Sequence, residues 1–109
     1  MKIINYGKQT IDNSDIESVI KTLKSGYLTQ GPKVKEFEKA LNKKFGSKYS
    51  VVVTNGTAAL FIVAKTLGWK KNDVIVTTPI TFVASANCVE STGAKVEFVD
   101  INKYNFTID

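Results

Sequence analysis

Val51-Val52-Val53-Thr54-Asn55-Gly56-Thr57-Ala58-Ala59-Leu60 is the stretch whose reading decides the fold. Three β-branched apolar residues predict a buried strand, with Tyr49 and Ser50 leading into it. Thr54-Asn55-Gly56 predicts a tight turn, and small residues from Thr57 onward predict the first turn of a helix. A strand, a short glycine turn and a helix start present unpaired backbone N–H groups at the positive end of a helix dipole, a natural seat for a phosphate. Strand–glycine–helix junctions also serve as plain structural turns, so both readings stand at this point.

Working outward, the pattern repeats. The helix that starts at Thr57 is predicted to run to Leu67, with Leu60, Val63, Ala64 and Leu67 on one face, and Gly68 to end it. Much of its circumference is apolar, which predicts burial within the chain or on assembly. Val74-Ile75-Val76-Thr77 reads as a second short buried strand that Thr78-Pro79 breaks. Thr81 to Ser91 reads as a helix with Gly93 as its stop, and Lys95-Val96-Glu97-Phe98-Val99 as a third strand, closed by Asp100. Asn102 to Asp109 reads as a polar, frayed end. Strands alternating with helices across short connections predict parallel pairing.

On the N-terminal side, Ile3-Ile4 predicts a short extended piece. Ser14-Asp15-Ile16-Glu17 reads as a capping box opening a helix over 14–25. Its apolar face is Ile16, Val19, Ile20 and Leu23, and Gly26 is its expected left-handed cap. The loop Tyr27-Leu28-Thr29-Gln30-Gly31 leads to Pro32 at the first turn of a second helix. Val34, Phe37, Leu41 and Phe45 form the buried side of that helix, and Gly46 ends it. The expected class is α/β: a parallel-strand βαβαβ preceded by two helices.

Composition narrows the chemistry. With 109 residues, 43% hydrophobic and 23% charged, the chain is of globular type and long enough for one small domain. No apolar run approaches the roughly 20 residues of a membrane span, and no long apolar core stands at the N-terminus, so a cytoplasmic protein without a membrane partner is expected. Histidine is absent, which removes Ser-His and Cys-His nucleophile pairs and most zinc sites, so no metal is expected. Cys88 stands alone in an apolar helical pattern and reads as a small core residue. Arginine is also absent, so the +5 net charge is carried by lysine. Lys33, Lys35, Lys39, Lys43, Lys44 and Lys48 read as the solvated side of a helix; without arginine's planar fork, nucleic-acid binding is disfavoured. The dinucleotide fingerprint and the Gly-Lys-Ser/Thr phosphate loop are both missing.

Leu28-Thr29-Gln30-Gly31-Pro32 with Val34 and Phe37-Glu38, Asn55-Gly56-Thr57-Ala58-Ala59-Leu60, Thr77-Thr78-Pro79-Ile80-Thr81-Phe82-Val83-Ala84-Ser85-Ala86-Asn87, Gly93-Ala94 and Val96-Glu97-Phe98-Val99-Asp100-Ile101 appear in unbroken order. Together they resemble the N-terminal part of the DegT/DnrJ/EryC1/StrS sugar aminotransferases, and within that group the transaminases of pseudaminic acid biosynthesis. The resemblance implies the large domain of the fold type I PLP-dependent transferases, with residues 1–50 as a helical arm and 51–109 as its α/β portion, a single partial domain. It implies pyridoxal 5′-phosphate as cofactor, held at its phosphate by the backbone amides of Gly56 and Thr57 and the Thr57 hydroxyl, with Phe82 against the pyridine ring. Tyr6, Gly26, Tyr27, Leu28 and Thr29 match positions that line the nucleotide-sugar site. The implied reaction is C4 amination of a UDP-linked 4-keto-6-deoxy-N-acetylhexosamine, with glutamate as donor, by a homodimer serving surface glycan synthesis. Without the resemblance, Phe82 reads as a core phenylalanine, Tyr6 as a surface tyrosine and 26–29 as an ordinary interhelical loop.

The Schiff-base lysine of that chemistry lies, in the family, beyond the position of Asp109. Lys65, in a helix, and Lys95, opening a strand, both read as solvent-facing, so no catalytic residue is expected within 1–109. In the family's large domain later strands lie between the equivalents of 51–53 and 74–77. A polypeptide ending at Asp109 is therefore expected to leave strand 51–53 without neighbours and helix 57–67 exposed, and so to aggregate, swap elements or need a complementing piece. A standalone, non-catalytic α/β module that binds phosphate esters is the alternative.

Overall fold

The computed structural model describes residues 7–109. Ile3-Ile4 and Tyr6 lie outside the described residues. The chain divides into two units, Met1–Val52 and Val53–Asp109.

The N-terminal unit carries α1 (Asn13–Leu23) and α2 (Pro32–Phe45). The start of α1 differs from the Ser14 capping box read from the sequence. Asp12 is the N-cap, and its Oδ1 accepts from Ser14 N at 2.8 Å and Asp15 N at 3.1 Å, while Asp12 N donates back to Asp15 Oδ2 at 3.0 Å. Ser14 Oγ donates to the same Asp12 oxygen at 2.6 Å, so the serine is a donor here and not the cap. A carboxylate accepts more strongly than a hydroxyl, which moves the box two residues upstream. The other end differs too. Lys24 caps α1 in right-handed geometry and Ser25 Oγ donates to Thr22 O at 2.7 Å, so Gly26 needs no left-handed conformation. At α2 the expectations hold: Pro32 opens it, and Gly46 closes it at φ 66°.

The face of α2 expected to be buried is not, and the apolar face of α1 is exposed as well. Ile16, Val19, Ile20 and Leu23 on α1, and Val34, Phe37 and Phe45 on α2, are all exposed, and only Leu41 is half-buried. Periodicity marks which side of a helix is apolar; burial needs a second apolar surface, and α1 and α2 each meet too little of one among the described residues.

Residues 51–53 show the same distinction in a strand. They join no ladder among the described residues, and Val52 N donates to a side chain, Glu38 Oε1 on α2, at 3.1 Å. A strand is a relation between segments, and the nearest strand-forming stretches pair with each other.

The C-terminal unit is a compact α/β assembly of α3 (Gly56–Thr66), β1 (Val74–Thr77), α4 (Ala84–Glu90) and β2 (Lys95–Phe98). β1 and β2 run parallel, with Val74 opposite Lys95 and Thr77 opposite Phe98. Lys95 N to Asp73 O and Val99 N to Thr77 O extend the ladder at both ends. Helix α4 covers one face of the pair, and α3 packs on α4. The core is made of small side chains, Ala64, Cys88, Val89 and Ala94, with Phe61, Trp69, Ile75 and Val96 packed around them. Cys88 is buried, as expected of a core residue. On β1 only Ile75 and Thr77 are half-buried, while Val74 and Val76 are exposed, so the strand is covered on one face and not on both. On α3 only Ala64 is buried; Leu60, Val63 and Leu67 of its expected face are exposed. Gly68 and Gly93 take left-handed conformations at φ 72° and 80° as the stops of α3 and α4.

Residues 101–109 do not fray. Ile101 and Ile108 form an antiparallel bridge around a tight loop. Asn102 Oδ1 accepts from Tyr104 N, Asn105 Oδ1 accepts from Thr107 N, and Phe106 adopts φ 59°. Asparagine side chains here mimic backbone turns, which polarity alone did not reveal.

Candidate functional site

The site residues expected from the sequence fall in both units. Gly56, Thr57 and Phe82 belong to the C-terminal unit, and Gly26, Tyr27, Leu28 and Thr29 to the N-terminal one. Tyr6 lies outside the described residues.

Asn55 is the N-cap of α3. Its backbone is extended, its Oδ1 accepts from Ala58 N at 2.8 Å, and its carbonyl accepts from Ala59 N at 3.2 Å. The next two amides, Gly56 N and Thr57 N, have no acceptor among the described residues. Neither Gly56 nor Thr57 is buried, and the first turn of α3 carries no acidic residue. Two free donors, an adjacent hydroxyl and the positive end of an 11-residue helix make a donor set suited to a phosphate. Gly56 is not demanded by the fold. Its φ is not left-handed, and a Cβ there would meet nothing within 4 Å. The space over the Gly56 backbone is open to a ligand.

Phe82 sits on the junction between β1 and α4, at the C-terminal end of a parallel strand, where ligands gather in α/β folds. It is 72% exposed. Its carbonyl accepts from Ser85 N at 3.0 Å, and Thr81 Oγ1 and Ser85 Oγ lie 3.2 Å apart, so the turn that carries the ring is braced on both sides.

The 26–29 loop is also built. Ser25 Oγ bonds Thr22 O and Tyr27 O and accepts from Tyr27 N, pinning the turn around Gly26. Gln30 is left-handed at φ 51°. A Cβ on Gly31 would come within 2.9 Å of Tyr27 Cβ, so glycine is required there for close approach. The result presents Tyr27 and Leu28, each 67% exposed, to solvent. Leu28 lines a cavity of about 420 Å³ with Val19, Leu23 and Lys33. Sequence reading passed over Ser25 and Gly31, the residues that shape this loop, and gave Asn55 no role beyond the turn. The cap signal was present: asparagine before glycine at a helix start.

Lys65 and Lys95 are exposed, as expected, and Lys65 Nζ donates to Ser91 O at 3.3 Å. The lysine-rich side of α2 is solvated, with Lys33 and Glu36 paired at 2.6 Å on the surface. Among the described residues no group of His, Cys, Asp and Glu is arranged to hold a metal ion, and no helix is long and apolar enough to cross a membrane. Asp12 is held below the ordinary carboxylate range, first by the Ser14 hydroxyl and then by the Asp15 and Ser14 amides.

A family model for the DegT/DnrJ/EryC1/StrS aminotransferases matches residues 9–109. A UDP-4-amino-4,6-dideoxy-N-acetyl-beta-L-altrosamine transaminase of Campylobacter jejuni is 46% identical over 99 residues, covering 91% of this chain and 26% of the relative. Helicobacter pylori PseC, an aminotransferase involved in the biosynthesis of pseudoaminic acid, superimposes with a TM-score of 0.87 at 32% identity, over 99% of this chain and 29% of that one. A putative sugar aminotransferase from Streptococcus pneumoniae, in its PLP form, gives a TM-score of 0.85 at 31% identity over 97% of this chain and 27% of that one. The chain thus spans about a quarter of the length of the curated relatives it matches.

Proposed function

The chain belongs to the DegT/DnrJ/EryC1/StrS aminotransferase family, and on that footing we propose that it forms the cofactor-phosphate seat and part of the sugar site of a PLP-dependent nucleotide-sugar aminotransferase. The observation that carries this reading is the pair of unpartnered amides at Gly56 and Thr57 on a helix start without acidic residues. PLP, when bound, supplies the electron sink that lets an amino group move between carbon skeletons.

The residues present have separate duties. Gly56 and Thr57 hold the phosphate through their amides, and the Thr57 hydroxyl adds a third donor. The glycine lets the anion approach the backbone closely. Phe82 offers its face to the pyridine ring and keeps water from it. Gly26, Tyr27, Leu28 and Thr29, with Tyr6, take the nucleotide-sugar. No residue within 1–109 is assigned the proton transfers. The lysine that carries the cofactor and the aspartate that keeps its ring nitrogen protonated are supplied, as in the family, from outside these positions. Residues 1–50 serve as a helical arm and 51–109 as the α/β portion of the large domain. The substrate is a UDP-4-keto-6-deoxy-N-acetylhexosamine aminated at C4, the donor is glutamate, and the working form is a cytoplasmic homodimer.

The test uses the protein as its gene encodes it. PLP is added, the absorbance change is followed, and borohydride is used to fix the cofactor. The expected result is a pyridoxyl group on one lysine, and 2-oxoglutarate formed from glutamate beyond one equivalent per site only when the keto-sugar is present. Reversible PLP binding with no fixed adduct and no transfer would instead mark a non-catalytic phosphate-ester module. No PLP uptake at all would remove the reading.

A further inference from the structure

Asn55 occupies the cap of the one helix start whose first two amides are proposed to hold a phosphate. Its Oδ1 takes the Ala58 amide at 2.8 Å and its carbonyl takes Ala59 N, so these donors are consumed and only Gly56 N and Thr57 N remain open. An aspartate would cap equally well and would suit the helix dipole better. The chain uses that solution at α1, where Asp12 is the cap and Asp15 the reciprocal partner. Helix stability alone gives no reason for a neutral residue at position 55. The difference between Asn and Asp here is one negative charge beside two free amides, and a like charge next to a phosphate dianion disfavours it.

We infer that Asn55 is a positioning residue of the phosphate seat: as a neutral cap it withdraws the Ala58 donor, directs an incoming phosphate monoester to the Gly56 and Thr57 amides, and keeps the seat free of negative charge. The inference rests on the reading of that seat as the PLP phosphate site.

Asn55→Asp and Asn55→Ser separate capping from charge. Both keep a side-chain acceptor, so the melting temperatures of the cofactor-free proteins stay within about 2 °C of wild type. Asn55→Ser keeps PLP affinity within about threefold, because the cap remains neutral. Asn55→Asp loses PLP affinity by about tenfold or more at pH 8, and the gap to wild type narrows at pH 5.5, below the phosphate's second pKa of about 6, where the phosphate carries one charge fewer. A merely structural cap would not produce that pH-dependent gap. Asn55→Asp binding PLP as tightly as wild type overturns the inference, as does a gap that ignores pH or an Asn55→Asp protein that melts well below wild type. Failure of wild type to take up PLP is a different outcome: it overturns the seat itself, and the role of Asn55 with it.

Discussion

At the start of α1 a carboxylate accepts two backbone amides, and a second carboxylate reaches back to the cap; at the start of α3 a neutral amide oxygen accepts one, and two amides are left over. The two helices have the same length, 11 residues each, and present the same positive end. At α1 the chain fills that end with its own anions. At α3 it leaves the end unfilled and places Gly-Thr where α1 has Asn-Ser. The difference teaches that an anion seat is recognised by the donors a cap declines to satisfy, as much as by the helix that carries them.

The comparison breaks most sharply at the second helical position. Thr57→Glu would bring an acid into the seat and remove the hydroxyl, and PLP affinity should fall by about a hundredfold or more. Ser14→Glu, its counterpart on α1, should leave PLP affinity unchanged. Spectrophotometric titration of both variants measures this. If Thr57→Glu binds PLP normally, the open start of α3 is not the seat.

A subtler substitution converts one start toward the other. Ala58→Asp places an acid at the third helical position of α3, where α1 has Asp15. The new carboxylate can reach back to the cap amide, so the cofactor-free protein should melt within a few degrees of wild type. PLP affinity should drop by about tenfold, from charge alone. Calorimetry with and without PLP reads both effects in one experiment, and an unchanged ligand-induced shift would refute the assignment.

The smallest effect is in pH. Asp12 is depressed in the folded protein, so its contribution to α1 is present above the unfolded carboxylate pKa of about 3.9 and is lost as pH falls through the lower folded value. Asn55 does not titrate. On acidification below pH 4, amide exchange should therefore rise at Ser14 and Asp15 before it rises at Ala58. Simultaneous loss would mean that global unfolding, and not the caps, governs both.

What the sequence made legible follows the same division between local and distant information. Gly46, Gly68 and Gly93 stop their helices because a left-handed residue is a local requirement that glycine meets. The turn and helix start at 54–57 were legible because they lie within four consecutive residues, whereas Asn55 was read only as part of the turn and not as the cap. The capping box was misplaced by two residues because Asp12-Asn13-Ser14-Asp15 offers a stronger acceptor than Ser14 and an aspartate where glutamate is the commoner partner. Faces were legible and burial was not: Phe37 and Phe45 lie on the apolar side of α2 yet are 55% and 74% exposed, because periodicity does not name the opposing surface. The shaping of the 26–29 loop was hidden for a similar reason, since the 2.9 Å approach of Gly31 to Tyr27 is a contact and not a pattern.

The Glu38 carboxylate that holds the Val52 amide also bears on the order of assembly. β1, α4 and β2 follow one another within 25 residues (74–98), so their contacts close short loops and form early. Residues 51–53 join no ladder among the described residues, and Val52 is tethered by a side chain 14 positions away. That bond occupies one backbone amide of a valine-rich segment that would otherwise be open to pairing with another molecule.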